Sequence, residues 1–427
     1  MSSIIEKIDA VQILDSRGNP TIECRVILNN GAFGVASVPS GASVGSLEAF
    51  ELRDNVAAKF NGKSVDRAIE NIVSKINPLL KGKSPFDQQQ IDELMISFDG
   101  SVNKSKIGAN AILAVSMANA KAAANASSVP FYRYLGGDGG FVLPMPMMNI
   151  LNGGVHASNS VDIQEIMIVP FSAISFSQAV EMCCKVYHTL RNVLEKGTKV
   201  TAVGDEGGFA PSFVSNTEAM QVVLQAIEQS GYIPGVDVAM ALDIAASEFY
   251  KEGAYYLSSE NRKYSIDEWI NQLKSWVDNF PIVSIEDAMD EKDFKGWEKL
   301  TNQLGEKVQL VGDDVFVTQS KLLKNAIKGN IANAILIKPN QVGTLTETLT
   351  TIGYAKKYNY GVVLSHRSGE TVDSYIADIA VATSAGQIKS GAPCRGERVE
   401  KYNQLLRIEQ QLGEKAIFAA GQSLYCV

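Results

Sequence analysis

The sequence predicts an α/β protein in two parts, a small N-terminal α+β unit followed by a parallel α/β barrel. Three observations carry that prediction. The 427 residues exceed the ~250 that one barrel takes, which leaves room for a second, smaller domain. In the second half, apolar runs end again and again in a chemically useful residue: VAMALD at Asp243, IVSIE at Glu286, VQLVGD at Asp313, AILIK at Lys338, VVLSH at His366 and GQIK at Lys389. From Glu286 onward these ends recur at intervals of 27, 25, 28 and 23 residues, the length of one strand, one helix and two short loops. The cluster Gly136-Gly137-Asp138-Gly139-Gly140 supplies the third observation. Glycines stop helices and permit chain reversal, so the expected domains are 1–138 and 139–427.

Taken in order, TIECRVILNNGAFGVASVP alternates apolar and polar residues on both sides of Asn29-Asn30-Gly31 and reads as an antiparallel hairpin. SVDRAIENIVSKINPLL, DQQQIDELMISF and the alanine-rich IGANAILAVSMANAKAAANA carry apolar residues three and four apart and read as helices backing that small sheet. PMPMMNIL and DIQEIMIVP read as two strands with no helix between them, so the barrel opens irregularly. Helices follow, then regular strand-helix units from VAMALD, and a final amphipathic helix over RVEKYNQLLRIEQQLG.

Composition narrows the function. Hydrophobic residues at 45% and charged residues at 20% are ordinary for a globular protein with a large core. A net charge of −8 excludes nucleic acid as the main partner, because phosphate backbones need a basic surface. Charged residues at Glu6, Lys7 and Asp9 and the lack of any membrane-length apolar run argue against a secretory signal and membrane insertion. The expected location is the cytoplasm, with an added presence at the cell surface left open. Five cysteines without metal-ligand spacing read as reduced packing residues.

In a parallel barrel the C-terminal strand ends meet at one mouth, so distant residues can face one ligand. Asp243, Glu286 and Asp313 on successive strand ends form a hard oxygen donor set that favours Mg²⁺ over zinc. Each alone would read as a solvated helix cap. Lys338 is a candidate base. To act at neutral pH its amine must come down from about 10.4 by ~3 pH units, or ~4 kcal/mol, through desolvation and nearby cations; a plain ion pair with the acids is the alternative. His366, Arg367 and Ser368 in SHRSGE offer a guanidinium fork and hydroxyl and amide donors suited to phosphate, and Lys389 adds a point charge. VGDEGG holds Asp205 and Glu206 in a glycine turn, and NGGVHASNSVDIQEIM presents His156 and Glu165. His188, within EMCCKVYHTL, is expected to be packed. Ser40, Gly41 and Ser43 in VPSGASVGSLEA suit either a mobile cover or an ordinary surface loop.

Together DSRGNPT, VPSGAS, NKSKIGANAIL, LNGGVHA, GDEGGFAP, SIED, GDD, ILIKPNQVGT, LSHRSGET and KYNQLLRIE resemble the enolase family from end to end. The resemblance implies a modified eight-stranded, TIM-like α/β barrel behind a capping domain, and reversible dehydration of 2-phosphoglycerate to phosphoenolpyruvate in glycolysis and gluconeogenesis. By motif, Lys338 matches the base at C2, Glu206 the acid at the C3 hydroxyl, and Glu165 its assistant. Asp243, Glu286 and Asp313 match the ligands of one Mg²⁺, and Ser43 a position that joins a second when substrate binds. His156, Gln164, His366, Arg367, Ser368 and Lys389 match substrate-side positions, with Lys389 toward the carboxylate. The family is usually homodimeric, and some bacterial members form octamers.

Two places depart from the pattern: Ala288-Met289 follows Glu286-Asp287, and Gly396 stands in APCRGER where serine is common. Two other readings compete with dehydration. One is a racemase or cycloisomerase of the same superfamily acting on an unphosphorylated acid, against which SHRSGE counts; the other is an inert structural or surface-binding role, against which the full set of chemical groups counts.

Overall fold

The computed structural model describes residues 3–41, 45–157, 159–421 and 424. Its first part is an antiparallel sheet of β1 (Ile5–Leu14), β2 (Pro20–Leu28) and β3 (Phe33–Ser37), in that order. The expected hairpin is β2–β3, with Ile27 opposite Phe33. The sequence pattern did not predict β1. Its register shifts between Ile5 and Lys7 and its far half is an open edge, so the two-residue apolar period breaks down.

Of helices α1 (Gln88–Asp99) and α2 (Ala109–Ala126), α2 covers one face of the sheet and α1 packs against α2. The alanines of α2 are nearly all buried, and their small side chains let the helix approach closely. Gly34 completes the fit: a Cβ there would lie 2.2 Å from Ala118 O. Before α1, Asp66–Asn71, Ile72–Ile76 and Asn77–Leu80 run on as the predicted helix, with a π-type turn in the middle.

The second part is a closed barrel of β4 (Met145–Asn152), β5 (Glu165–Val169), β6 (Ala239–Asp243), β7 (Ile282–Glu286), β8 (Gln309–Gly312), β9 (Ala334–Ile337), β10 (Gly361–Ser365) and β11 (Gly386–Lys389). Each strand neighbours the next in sequence, and β11 closes onto β4. All pairings are parallel except those of β5, which runs antiparallel to β4 and β6. The irregular opening has a geometric consequence, because reversing β5 brings its first residue, Glu165, to the mouth where the other strands end. Asn152, Glu165, Asp243 and Glu286 therefore stand side by side on four adjacent strands.

The long interval between Asp243 and Glu286 holds an added antiparallel sheet of Tyr250–Lys251, Ala254–Leu257 and Arg262–Ser265. Inside the barrel, Met145, Met147, Met167, Val169, Ala241, Val311, Ala334, Leu336 and Val363 pack together. Gln309 and Gln387 exchange amide hydrogen bonds of 2.8 and 2.7 Å, so these two interior amides satisfy each other. The final helix, Gly396–Leu412, buries Arg398 and Lys401 as well as its apolar face. Among the described residues no helix is long and apolar enough to cross a membrane.

Candidate active site

At the barrel mouth Asp243, Asp313, Lys338, His366 and Lys389 line one cleft that also receives His156, Gln164, Glu165 and Glu206, and Glu286 lies behind them against Lys389. On one side lysines hold carboxylates. The Lys389 ammonium lies 2.9 Å from Asp243 Oδ2, 2.8 Å from Glu286 Oε2 and 3.2 Å from Glu165 Oε1. Burial would strip its proton, yet Asp243, Glu165 and Glu286 outweigh burial and hold its pKa well above the ordinary value. Burial and the neighbouring Asp243 push Glu286 well up despite Lys389. Gln164 Nε2 donates to Asp243 Oδ2 at 3.2 Å.

Lys338 is paired with Asp313 through Nζ and Oδ2. Burial lowers its pKa, but the Asp313 charge wins and the net direction is upward, opposite to what a free base requires. In this arrangement the amine is a cation paired with Asp313. Asp313 is correspondingly lowered, with burial opposed and overcome by Lys338, while its other oxygen accepts from Gln341 Nε2 at 2.9 Å. Asp287 anchors the segment, since its two oxygens accept the backbone N–H groups of Asp313 (2.8 Å) and Asp314 (3.1 Å).

The other side is built from histidines and glutamates. The polar ends of His156, Glu165 and Glu206 lie within 4.8 Å of one another. Burial raises the Glu165 pKa, and the Glu206 charge raises it further, whereas for Glu206 burial is overcome by the neighbouring His366 and His156, which hold the pKa well below the ordinary value. Glu206 is delivered by the turn Gly204–Gly207, closed by Gly207 N–H to Gly204 O at 3.1 Å. Only glycine serves at position 207, where φ is +86° and a Cβ would meet Cys394 O at 2.7 Å. His366 Nε2 lies 3.3 Å from Glu206 Oε2. Its Nδ1 faces Arg398 Nη1 at 2.7 Å, and because arginine can only donate, Nδ1 must accept and the proton must sit on Nε2. Burial lowers the His366 pKa to about 4, so this neutral form persists at neutral pH.

Arg367, expected to present its fork to a phosphate, uses it on Glu48 of the N-terminal part, with Nη1 to Oε2 at 2.9 Å and Nη2 to Oε1 at 3.2 Å. Nη1 also donates to Asn340 Oδ1 at 3.1 Å. Ser368 lines the same cleft. Ser40 pairs with Gly369 through two backbone bonds of 2.7 and 2.9 Å, fastening the VPSGAS loop to SHRSGE; Ser43 lies outside the described residues. His188 was expected to be packed but is exposed on its helix, because Val186, Tyr187 and Leu190 take the inward face.

Sequence reasoning therefore named most of this cleft and missed its supports: Asn149, Gln341, Glu48, Asp287 and Arg398. Asn149 had a visible signal as the one polar residue within the run PMPMMNIL. The arginine did not, because a charged residue on a helix normally reads as solvated.

The donor chemistry fits a divalent cation. Buried carboxylates outnumber the two ammonium groups, and Glu165 Oε2 and Gln164 Oε1 have no hydrogen-bond partner among the described residues. Carboxylate oxygens of Asp287, Asp313 and Asp314 also lie within 4.8 Å of one another. Comparison with known families places this geometry. The model described as enolase, C-terminal TIM barrel domain, matches residues 140–426, and the one described as enolase, N-terminal domain, matches residues 5–135. Such membership supports an enolase-type lyase reaction on a small-molecule substrate. Matched along nearly its whole length, the chain belongs to the enolase family.

Proposed function

We propose that this enzyme catalyses the reversible, Mg²⁺-dependent dehydration of 2-phosphoglycerate to phosphoenolpyruvate, in the cytoplasm, as a step of glycolysis and gluconeogenesis. The observation that carries the reading is the convergence at one mouth of a lysine base candidate, a close pair of buried carboxylates and an excess of hard oxygen donors. The working unit is proposed as a homodimer of chains divided into domains 1–138 and 139–427.

Asp243, Glu286 and Asp313, with Ser43 toward a second ion, would hold Mg²⁺, which when bound supplies positive charge beside the substrate carboxylate. Lys338 takes the proton from C2. For that it must act as the neutral amine, so its ammonium must first release a proton to solvent and give up Asp313, whose other oxygen Gln341 already holds. The negative charge that builds on the substrate carboxylate meets Lys389. One unit charge at 4 Å yields only ~4 kcal/mol at an effective dielectric of 20, against barrier reductions of ~8–23 kcal/mol, so one lysine is insufficient. Glu206 then protonates the departing C3 hydroxyl, with Glu165 returning a proton to it. His156, Gln164, His366, Arg367 and Ser368 orient the substrate, with the phosphate meeting Arg367 after Glu48 yields part of the fork.

The test is steady-state formation of phosphoenolpyruvate from 2-phosphoglycerate, followed by ultraviolet absorbance, before and after chelation with EDTA. Activity should end on chelation and return with Mg²⁺. Undiminished turnover in metal-free buffer would remove the carboxylate assignment, and turnover confined to unphosphorylated acids would replace the substrate.

A further inference from the structure

On β4, Asn149 is fully buried and its Nδ2 donates to Glu206 Oε2 at 3.1 Å. The same oxygen lies 3.3 Å from His366 Nε2, the nitrogen that Arg398 forces to carry the ring proton by facing Nδ1. The Asn149 amide is thus the donor that Oε2 accepts, with His366 Nε2–H beside it but not hydrogen-bonded to it. Oε1 lies 3.7 Å from His156 Nδ1, a nitrogen that is also 3.6 Å from Glu165 Oε1. A carboxyl oxygen that already accepts an amide N–H, with a ring N–H at its side, is a poor place for a proton. The reverse amide orientation of Asn149 would set oxygen against oxygen, so the carboxylate itself fixes which end of the amide it meets. Asn149 Oδ1 has no partner among the described residues, an unpaired buried acceptor that is costly to keep.

We propose that Asn149 is a positioning residue that, together with the Arg398–His366 pair, reserves Glu206 Oε2 as an acceptor and directs the transferable proton to Oε1, on the side shared with Glu165 and His156. This rests on the reaction proposed above and specifies its second half. As the C3–O bond breaks, its electron pair leaves on oxygen, which takes the proton from Glu206 Oε1 and departs as water. Without the Asn149 donor, the proton divides between two oxygens, only one of which addresses the leaving group.

Two variants lacking the donor test this, Asn149→Asp at equal shape and Asn149→Leu at similar bulk. Each is assayed for wash-out of deuterium from C2 by NMR and for phosphoenolpyruvate formation. The expected result is kcat for dehydration lowered about 30-fold, part of the ~10²–10⁴ a placed acid contributes, with KM and C2 exchange within about two-fold of wild type. A merely structural role would lower exchange and dehydration together. That parallel loss, or an unchanged kcat in either folded variant, overturns the role of Asn149. A wild-type enzyme that neither exchanges C2 protons nor forms phosphoenolpyruvate overturns the reaction itself, a failure seen before any variant is made.

Discussion

From β6 to β11 each reactive side chain stands at or just past the end of a parallel strand, whereas the arc from β4 to β5 furnishes the same mouth through the start of a reversed strand and two loops. The two arcs also differ in electrostatics. The regular arc joins full charges, Lys389 to Asp243 and Glu286 and Lys338 to Asp313. In the irregular arc an amide and a pair of carboxylates face each other, and the neutral His366 reaches them from the end of β10. Charge density collects where a cation can be held, while Glu206 is lined by imidazoles and an amide. Buried ion pairs are strong but unforgiving when one partner is lost. Neutral hydrogen-bonded groups keep their protons free to move.

The comparison can be broken most severely at Lys338. Lys338→Ala should lower turnover about 10⁴-fold, the upper range for a general base, and abolish C2 exchange; rapid exchange in that variant would move the base elsewhere. Glu206→Gln, in the other arc, should cut dehydration about 10³-fold yet retain C2 exchange, so normal turnover would reject it as the acid. Removing Lys389 probes stability. Lys389→Met leaves Asp243, Glu286 and Glu165 buried without their shared cation and should cost about 3–5 kcal/mol in metal-free thermal or denaturant unfolding; an unshifted midpoint would show that the carboxylates are neutral there.

The histidine that faces Glu206 from the end of β10 predicts a pH response. His366 has its pKa lowered from 6.5 to about 4, chiefly by burial, so below 6.5 the unfolded chain binds a proton that the native state refuses. Stability present above that pH is lost progressively as pH falls toward 4, by about 3 kcal/mol in all. His366→Gln should flatten this part of the unfolding profile, and an identical slope in the variant would assign it to other groups.

The sequence exposed the regular arc because its unit repeats: an apolar run four or five residues long, then a charged residue, at a nearly constant interval. Asp243, Glu286, Asp313, Lys338, His366 and Lys389 were legible for that reason. β1 was not, since a register shift near Ile5 and an exposed edge erase the alternation that marks a strand. The burial of Arg398 and Lys401 was equally hidden, because helical periodicity says which face turns inward and nothing about whether carbonyls wait there to receive a charge.

Local chemistry along the chain thus determined the barrel, the hairpin, the helices and the identity of most groups at the mouth, since periodicity and turn residues act over a few positions. Only the tertiary structure decided the state of those groups. Reversing β5 set Glu165 beside Asp243, Asp313 paired with Lys338, and Glu48 took the fork of Arg367. Each outcome depends on distances between residues far apart in sequence and on burial that strengthens their charges, and neither is written in any local pattern.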